Sequence, residues 1–242
     1  MILGGRIAVV TGAGGGIGRS ISKTLAKLGA YVVLLGGNKA EKLLETEKEV
    51  KALGGKCLVL PGNLTDEKFI DSSVEKILSE CGGVDVLINN AGAAANTPFE
   101  QTDMALFDKI MNINVRAPFM LTNKLLPAIK KSDRASIINI ASVVSHAGYP
   151  NQSVYVASKH ALLGFTKSLA IELYQDGVRV HAISPGGVYT DMIKIARPDL
   201  TSDGMIMPEE IASIVEFLIV NRGNAVIDEI LVHRVNKQPF LV

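Results

Sequence analysis

Seven short runs of aliphatic, mostly β-branched residues recur along the chain, separated by longer amphipathic stretches, and this alternation restricts the fold more than any other feature. The predicted strands are 7–10 (IAVV), 31–35 (YVVLL), 56–60 (KCLVL), 84–89 (VDVLIN), 136–140 (SIINI), 179–183 (RVHAI) and 227–232 (IDEILV). Most are apolar at consecutive rather than alternate positions, so both faces of their sheet are expected to be covered. The predicted helices are 17–28, 40–53, 66–79, 103–130, 152–175 and 208–219. Strand–helix alternation this regular implies right-handed crossovers and an α/β fold, a doubly wound parallel seven-stranded sheet with helices on both faces. No repeat, low-complexity tract or long linker divides the chain, so one domain over 1–242 is expected.

Bulk properties remove several classes of function. The longest apolar runs span only a few residues, and glycines interrupt "MILGGRIAVVTG", so neither a membrane span nor a signal peptide is predicted. A net charge of +1 without a basic run argues against nucleic acid as the main partner. Cys57 and Cys81 form no CxxC, and the four histidines lack metal-ligand spacing, so no metal is expected. A reduced cytoplasmic protein acting on a small molecule is the expectation.

Between the first strand and first helix lies "VVTGAGGGIGRS", with Gly12, Gly16 and Gly18 spaced GxxxGxG. Residues without Cβ let the backbone turn tightly and approach a pyrophosphate. The following helix start supplies free N–H groups and a positive dipole end. The loop and sheet together describe a Rossmann-type dinucleotide-binding domain.

Four further motifs fall near expected strand ends or in the fourth helix: "INNAG" (88–92), "NINV" (112–115), "NIAS" (139–142) and "SPGGVYT" (184–190). "VYVASKH" adds Tyr155 and Lys159, four apart and so on one helix face. In order and spacing, the set resembles the short-chain dehydrogenase/reductase family over nearly the whole chain. The resemblance implies a nicotinamide-dependent oxidoreductase in which Asn114, Ser142, Tyr155 and Lys159 are catalytic. Tyr155 would exchange a proton with the substrate oxygen, Lys159 would also bind the nicotinamide ribose, and Ser142 would hold that oxygen. Physical chemistry agrees, since a nearby ammonium lowers a phenol pKa from its ordinary value of about 10. Pro118, four residues after Asn114, has no N–H to give the Asn114 carbonyl, so a kink is predicted inside the single helix 103–130. The resemblance assigns Asn114 to holding a relay water.

The resemblance also implies cofactor contacts from Ile17, Asn90 and Gly92, from Pro185, Gly186, Val188 and Thr190, and from Asn63 and Leu64 in "PGNLTD". An amide oxygen on Asn63 could accept from the adenine amino group. At the end of the second strand, "VVLLGGNKAEK" lacks the acid that would bind the 2′-hydroxyl of NAD. Asn38 and Lys39 could meet a 2′-phosphate, so NADP(H) is expected to be favoured, with NAD(H) usable.

A short substrate lid over about 191–207 and a tail over about 234–242 complete the chain, and the long helices 103–130 and 152–175 resemble those of a family homo-tetramer interface, so a homo-tetramer (or dimer) is expected. The expected reaction interconverts a ketone and a secondary alcohol, in the manner of a 3-oxoacyl thioester reductase. A steroid-, sugar- or other alcohol dehydrogenase is compatible. A catalytically silent cofactor sensor is disfavoured by the intact proton relay, and cofactor-free chemistry such as dehalogenation by the intact glycine loop.

Overall fold

The computed structural model describes residues 2–37, 40–191, 193 and 201–238. A parallel seven-stranded sheet runs in the order β3-β2-β1-β4-β5-β6-β7. Its strands are β1 (Ile7–Thr11), β2 (Tyr31–Leu35), β3 (Lys56–Leu60), β4 (Val86–Asn89), β5 (Ser136–Ile140), β6 (Arg179–Pro185) and β7 (Glu229–Val232). Around it lie α1 (Gly16–Lys27), α2 (Ala40–Ala52), α3 (Glu67–Cys81), α4 (Met104–Met111), α5 (Ala117–Ile129), α6 (Ser153–Leu173) and α7 (Pro208–Val220).

Alternate residues of one strand enter opposite cores. Ala8 and Val10 join Ile21, Leu25, Leu43 and Val215 on the α1, α2 and α7 side. Val9 joins Ile77, Leu121, Leu125 and Leu169 on the α3, α5 and α6 side. Two buried faces are why the strands read as continuous apolar runs. The strand order reverses between β1 and β4, parallel neighbours that pair Ala8 with Val86 and Val10 with Ile88. A crevice opens at the carboxyl ends of strands at such a switch, and ligands bind there.

Three elements depart from the expected bounds. The predicted strand 84–89 begins at Val86; just ahead of it the Asp85 backbone bonds the Ile7 carbonyl and Ser136 N (both 2.9 Å), and its carboxylate accepts from Ile7 N (2.8 Å) and from Arg6 (3.0 Å). β6 continues to Pro185, paired with Val232. The predicted single helix 103–130 is three pieces: α4, a π-turn over Asn112–Arg116, and α5. Ala117 N–H reaches the Asn112 carbonyl, five residues back, so the break is an extra residue in the turn rather than a bend at Pro118 alone.

Candidate active site

The glycine loop closes on itself so tightly that side chains are excluded. A Cβ on Gly18 would lie 2.3 Å from the Gly12 carbonyl oxygen, and one on Gly16, at φ +45°, would lie 2.7 Å from Thr190 Cγ2. Gly15 caps α1 without any side-chain acceptor, leaving first-turn N–H groups facing the crevice. This is a cradle for a pyrophosphate, and the residues present fit one. Thr11, which sequence reading passed over, fixes the cradle to β4: its Oγ1 accepts from Asn90 N and Ala91 N, both at 2.9 Å. Its position directly ahead of Gly12 was the available signal.

Asn90 follows β4 directly. Its Nδ2 donates to the Thr11 carbonyl (2.9 Å) and the Gly12 carbonyl (3.4 Å), so the side chain braces the glycine loop. Asn63 Oδ1 accepts from Thr65 N (3.0 Å) and Thr65 Oγ1 (2.9 Å), which fills both lone pairs in a local turn. Leu64 is buried against Gly36, where a Cβ would meet Leu64 Cδ1 at 2.6 Å. Asn38 and Lys39 lie outside the described residues.

A buried polar chain aligns the ends of β4 and β5. Asn89 Nδ2 donates to Asn139 Oδ1 (2.8 Å) and Thr122 Oγ1 (3.1 Å), and Asn139 Nδ2 donates to Thr166 Oγ1 (2.8 Å). These bonds join the strands to α5 and α6 and set the height of "NIAS" against "VYVASKH". Ser142, at the end of β5, donates to the Pro185 carbonyl at 3.3 Å. Burial pushes the Tyr155 phenol up and hydrogen bonding with Ser142 pulls it back. Lys159 is 6 % exposed, its Nζ donates to the Ile140 carbonyl (2.8 Å) and stands 5.9 Å from the Tyr155 ring centre. Burial lowers its pKa to about 8. Ser145, a rival by composition, donates to the Lys159 carbonyl (3.0 Å) and ties the Ser142 loop to α6.

Asn114 sits in the π-turn, 1 % exposed. Its Oδ1 accepts from Ala93 N (2.8 Å), and its Nδ2 donates to the Ala93 carbonyl (2.9 Å) and Ser158 Oγ (2.9 Å). Ser158 in turn donates to the Tyr155 carbonyl (2.7 Å). The side chain thus binds the "INNAG" loop to the turn of α6 that carries Tyr155 and Lys159. A Cβ on Gly92 would lie 3.1 Å from Asn114 Oδ1, so a side chain there would press on this clamp. Val188 is buried and bridges Ile206, and Gly186 N donates to the Val232 carbonyl (2.8 Å), so the loop after β6 is held over the crevice. Ile17 is partly buried, packed against the α1-side core beside the glycine loop. Among the described residues, no group of His, Cys, Asp and Glu is arranged to hold a metal.

Residues 6–201 match the family model described as short chain dehydrogenase. The chain belongs to that family. It is accordingly an oxidoreductase interconverting a carbonyl and an alcohol with a nicotinamide cofactor. The 3-oxoacyl-(acyl-carrier-protein) reductase FabG of Thermotoga maritima is 33 % identical over 241 residues, 96 % of this chain and 97 % of that one. A metagenomic short-chain oxidoreductase in complex with NADP superposes with a TM-score of 0.85 at 34 % identity, covering 96 % of this chain and 99 % of the other. The 3-ketoacyl-(acyl-carrier-protein) reductase of Brucella melitensis complexed with NADH gives 0.84 at 29 % identity, covering 96 % and 97 %.

Proposed function

We propose that this chain reduces 3-oxoacyl thioesters or closely similar ketones, with NADP(H) favoured and NAD(H) usable, through Ser142, Tyr155 and Lys159. The observation that carries the reading is the grouping of these three side chains: Ser142 bonds the Pro185 carbonyl that ends β6 and the Tyr155 phenol, and Lys159 Nζ, 5.9 Å from the Tyr155 ring centre, bonds the Ile140 carbonyl that ends β5. A bound nicotinamide would supply or accept the hydride at the carbonyl carbon. Ser142 and Tyr155 hydrogen-bond the carbonyl oxygen and hold it as negative charge develops. Tyr155 gives that oxygen its phenolic proton, the C=O double bond becoming C–O–H, and is left as phenolate. The Lys159 ammonium stabilises the phenolate. In the cofactor-free protein burial keeps the phenol protonated at neutral pH, the form needed to reduce a ketone.

Asn114 acts in this scheme on two levels. Its side chain holds the loop and α6 together. Its carbonyl, to which Pro118 offers no N–H, is the proposed seat of a water that returns a proton to Lys159. Gly12, Gly16, Gly18 and Ile17 would meet the pyrophosphate. Gly92 and the Asn90 backbone would line the adenosine ribose, and Pro185, Gly186, Val188 and Thr190 the nicotinamide amide. Likeness to a thioester reductase over 96 % of the chain supports the substrate class. A cytoplasmic homo-tetramer is the proposed assembly, from the exposed apolar residues of α4–α6.

The test is consumption of NADPH and NADH with an acetoacetyl thioester, set against simple ketones and secondary alcohols. Turnover confined to sugar or steroid alcohols would overturn the substrate class and leave the chemistry standing.

A further inference from the structure

Arg19 and Lys42 both stand beside the glycine loop, and they differ in what holds them. Arg19, in the first turn of α1, donates to the Gly14 carbonyl (3.1 Å), to Glu45 (2.8 Å) and to Glu49 (3.4 Å). Its charge is met by two carboxylates of α2. Lys42 lies in the first turn of α2, just past the end of β2. Its stem rests on the loop, since a Cβ on Gly14 would meet Lys42 Cβ at 3.1 Å. Its ammonium is half-exposed and pairs at 3.1 Å with Asp191, also well exposed. Asp191 follows Thr190, whose methyl covers Gly16. The pair therefore ties α2 to segment 188–191 across the mouth of the cradle.

In a dinucleotide-binding sheet the adenosine ribose lies at the end of the second strand, where a carboxylate reads a 2′-hydroxyl and a cation a 2′-phosphate. Here that end is Gly36 and Gly37, without an acid, and a Cβ at Gly37 or Gly15 would meet nothing within 4 Å. We propose that Lys42 reads the 2′-phosphate of NADP(H) by exchanging Asp191 for it, so that the discriminating phosphate also unties segment 188–191 from α2. A dianionic phosphate presents more charge and more acceptor oxygens than one carboxylate, so the exchange runs toward phosphate. A 2′-hydroxyl offers no such competition, and NAD(H) leaves the pair in place. The inference rests on the nicotinamide reading above and adds the residue that discriminates.

The experiment titrates NADPH and NADH directly into wild-type, K42M and D191N protein at fixed ionic strength, following cofactor fluorescence. K42M should weaken NADPH about five- to tenfold more than NADH, the range set by one part-exposed charge on phosphate. D191N should move the ratio the other way, tightening NADPH relative to NADH, because Lys42 is released. Opposite signs are the signature of exchange. If the pair is only a strut, both variants weaken both cofactors together, and the proposal falls. An unchanged NADPH-to-NADH ratio in K42M overturns it as well. Wild-type protein that binds neither cofactor would overturn the nicotinamide reading along with it.

Discussion

A lysine buried to 6 % exposure, held by one carbonyl and facing a phenol, is costly as an ammonium. Burial favours the neutral amine in the folded chain, so the proton leaves near pH 8, while the unfolded chain keeps it to about 10.5. Below pH 8 the penalty is fully present, and stability recovers as pH rises from 8 toward 10.5. Lys159→Met has no such titration. In urea denaturation without cofactor, K159M should therefore exceed wild type in stability at pH 7, with the gap narrowing by pH 9.5. A constant gap would mean Lys159 does not titrate in that window. Tyr155→Phe keeps the ring and loses only the proton donor, so cofactor titration should be near normal while kcat falls about 10²–10⁴-fold. More than a tenth of wild-type turnover would remove Tyr155 from the acid/base role. Two glycines at the adenosine end also separate by conformation. Gly37 has φ +95°, whereas Gly15 has extended backbone and open space around it. Gly15→Arg should sharpen NADPH preference without loss of melting temperature. Gly37→Arg should do so only while destabilising by about 1 kcal/mol or more, because an L side chain is strained there. Thermal melts and cofactor titrations of both variants separate the two effects.

At the scale of elements, the π-turn between α4 and α5 is held by Asn114 as much as it is released by Pro118. Pro118→Ala restores an N–H opposite the Asn114 carbonyl but leaves three side-chain bonds to Ala93 and Ser158 in place. Its melting temperature should be unchanged or higher, since alanine is the better helix former. Its kcat should fall only to the extent that the carbonyl serves a relay water. Asn114→Leu strips Ala93 and Ser158 of partners in a buried setting, and should cost about 2–4 kcal/mol together with turnover. Equal melting temperatures for P118A and N114L would show that the clamp adds nothing. One bent helix was legible from Pro118. The π-register was not, because an inserted residue leaves no mark on a 3.6-residue apolar period and depends on what Asn114 finds across the crevice.

Over the whole molecule, helices α4, α5 and α6 leave Met104 (67 %), Phe119 (54 %) and Ile171 (72 %) in solvent. Large apolar side chains exposed in this number suit the proposed tetramer. Ile171→Glu should lower the assembly's mass by light scattering while leaving the far-ultraviolet circular dichroism intact, and an unchanged mass would exclude this residue from the interface. The order of strands and helices, the doubly wound class, the glycine cradle and the Tyr155–Lys159 spacing were determined by the sequence alone, while the proposed roles of Asn114 and Ser142 came from the family resemblance. Each of the former is written locally, in apolar runs buried on two faces, in residues lacking Cβ, and in a spacing of four along a helix. Tertiary structure decided the rest. It gave the Asn90 side chain the Thr11 and Gly12 carbonyls as partners, engaged Asn63 Oδ1 with Thr65, and set Lys42 against Asp191, 149 positions away. A polar side chain bonds whatever donor or acceptor the fold brings within about 3 Å, and for these residues that partner is chosen by the packing of distant elements rather than by neighbours in the chain.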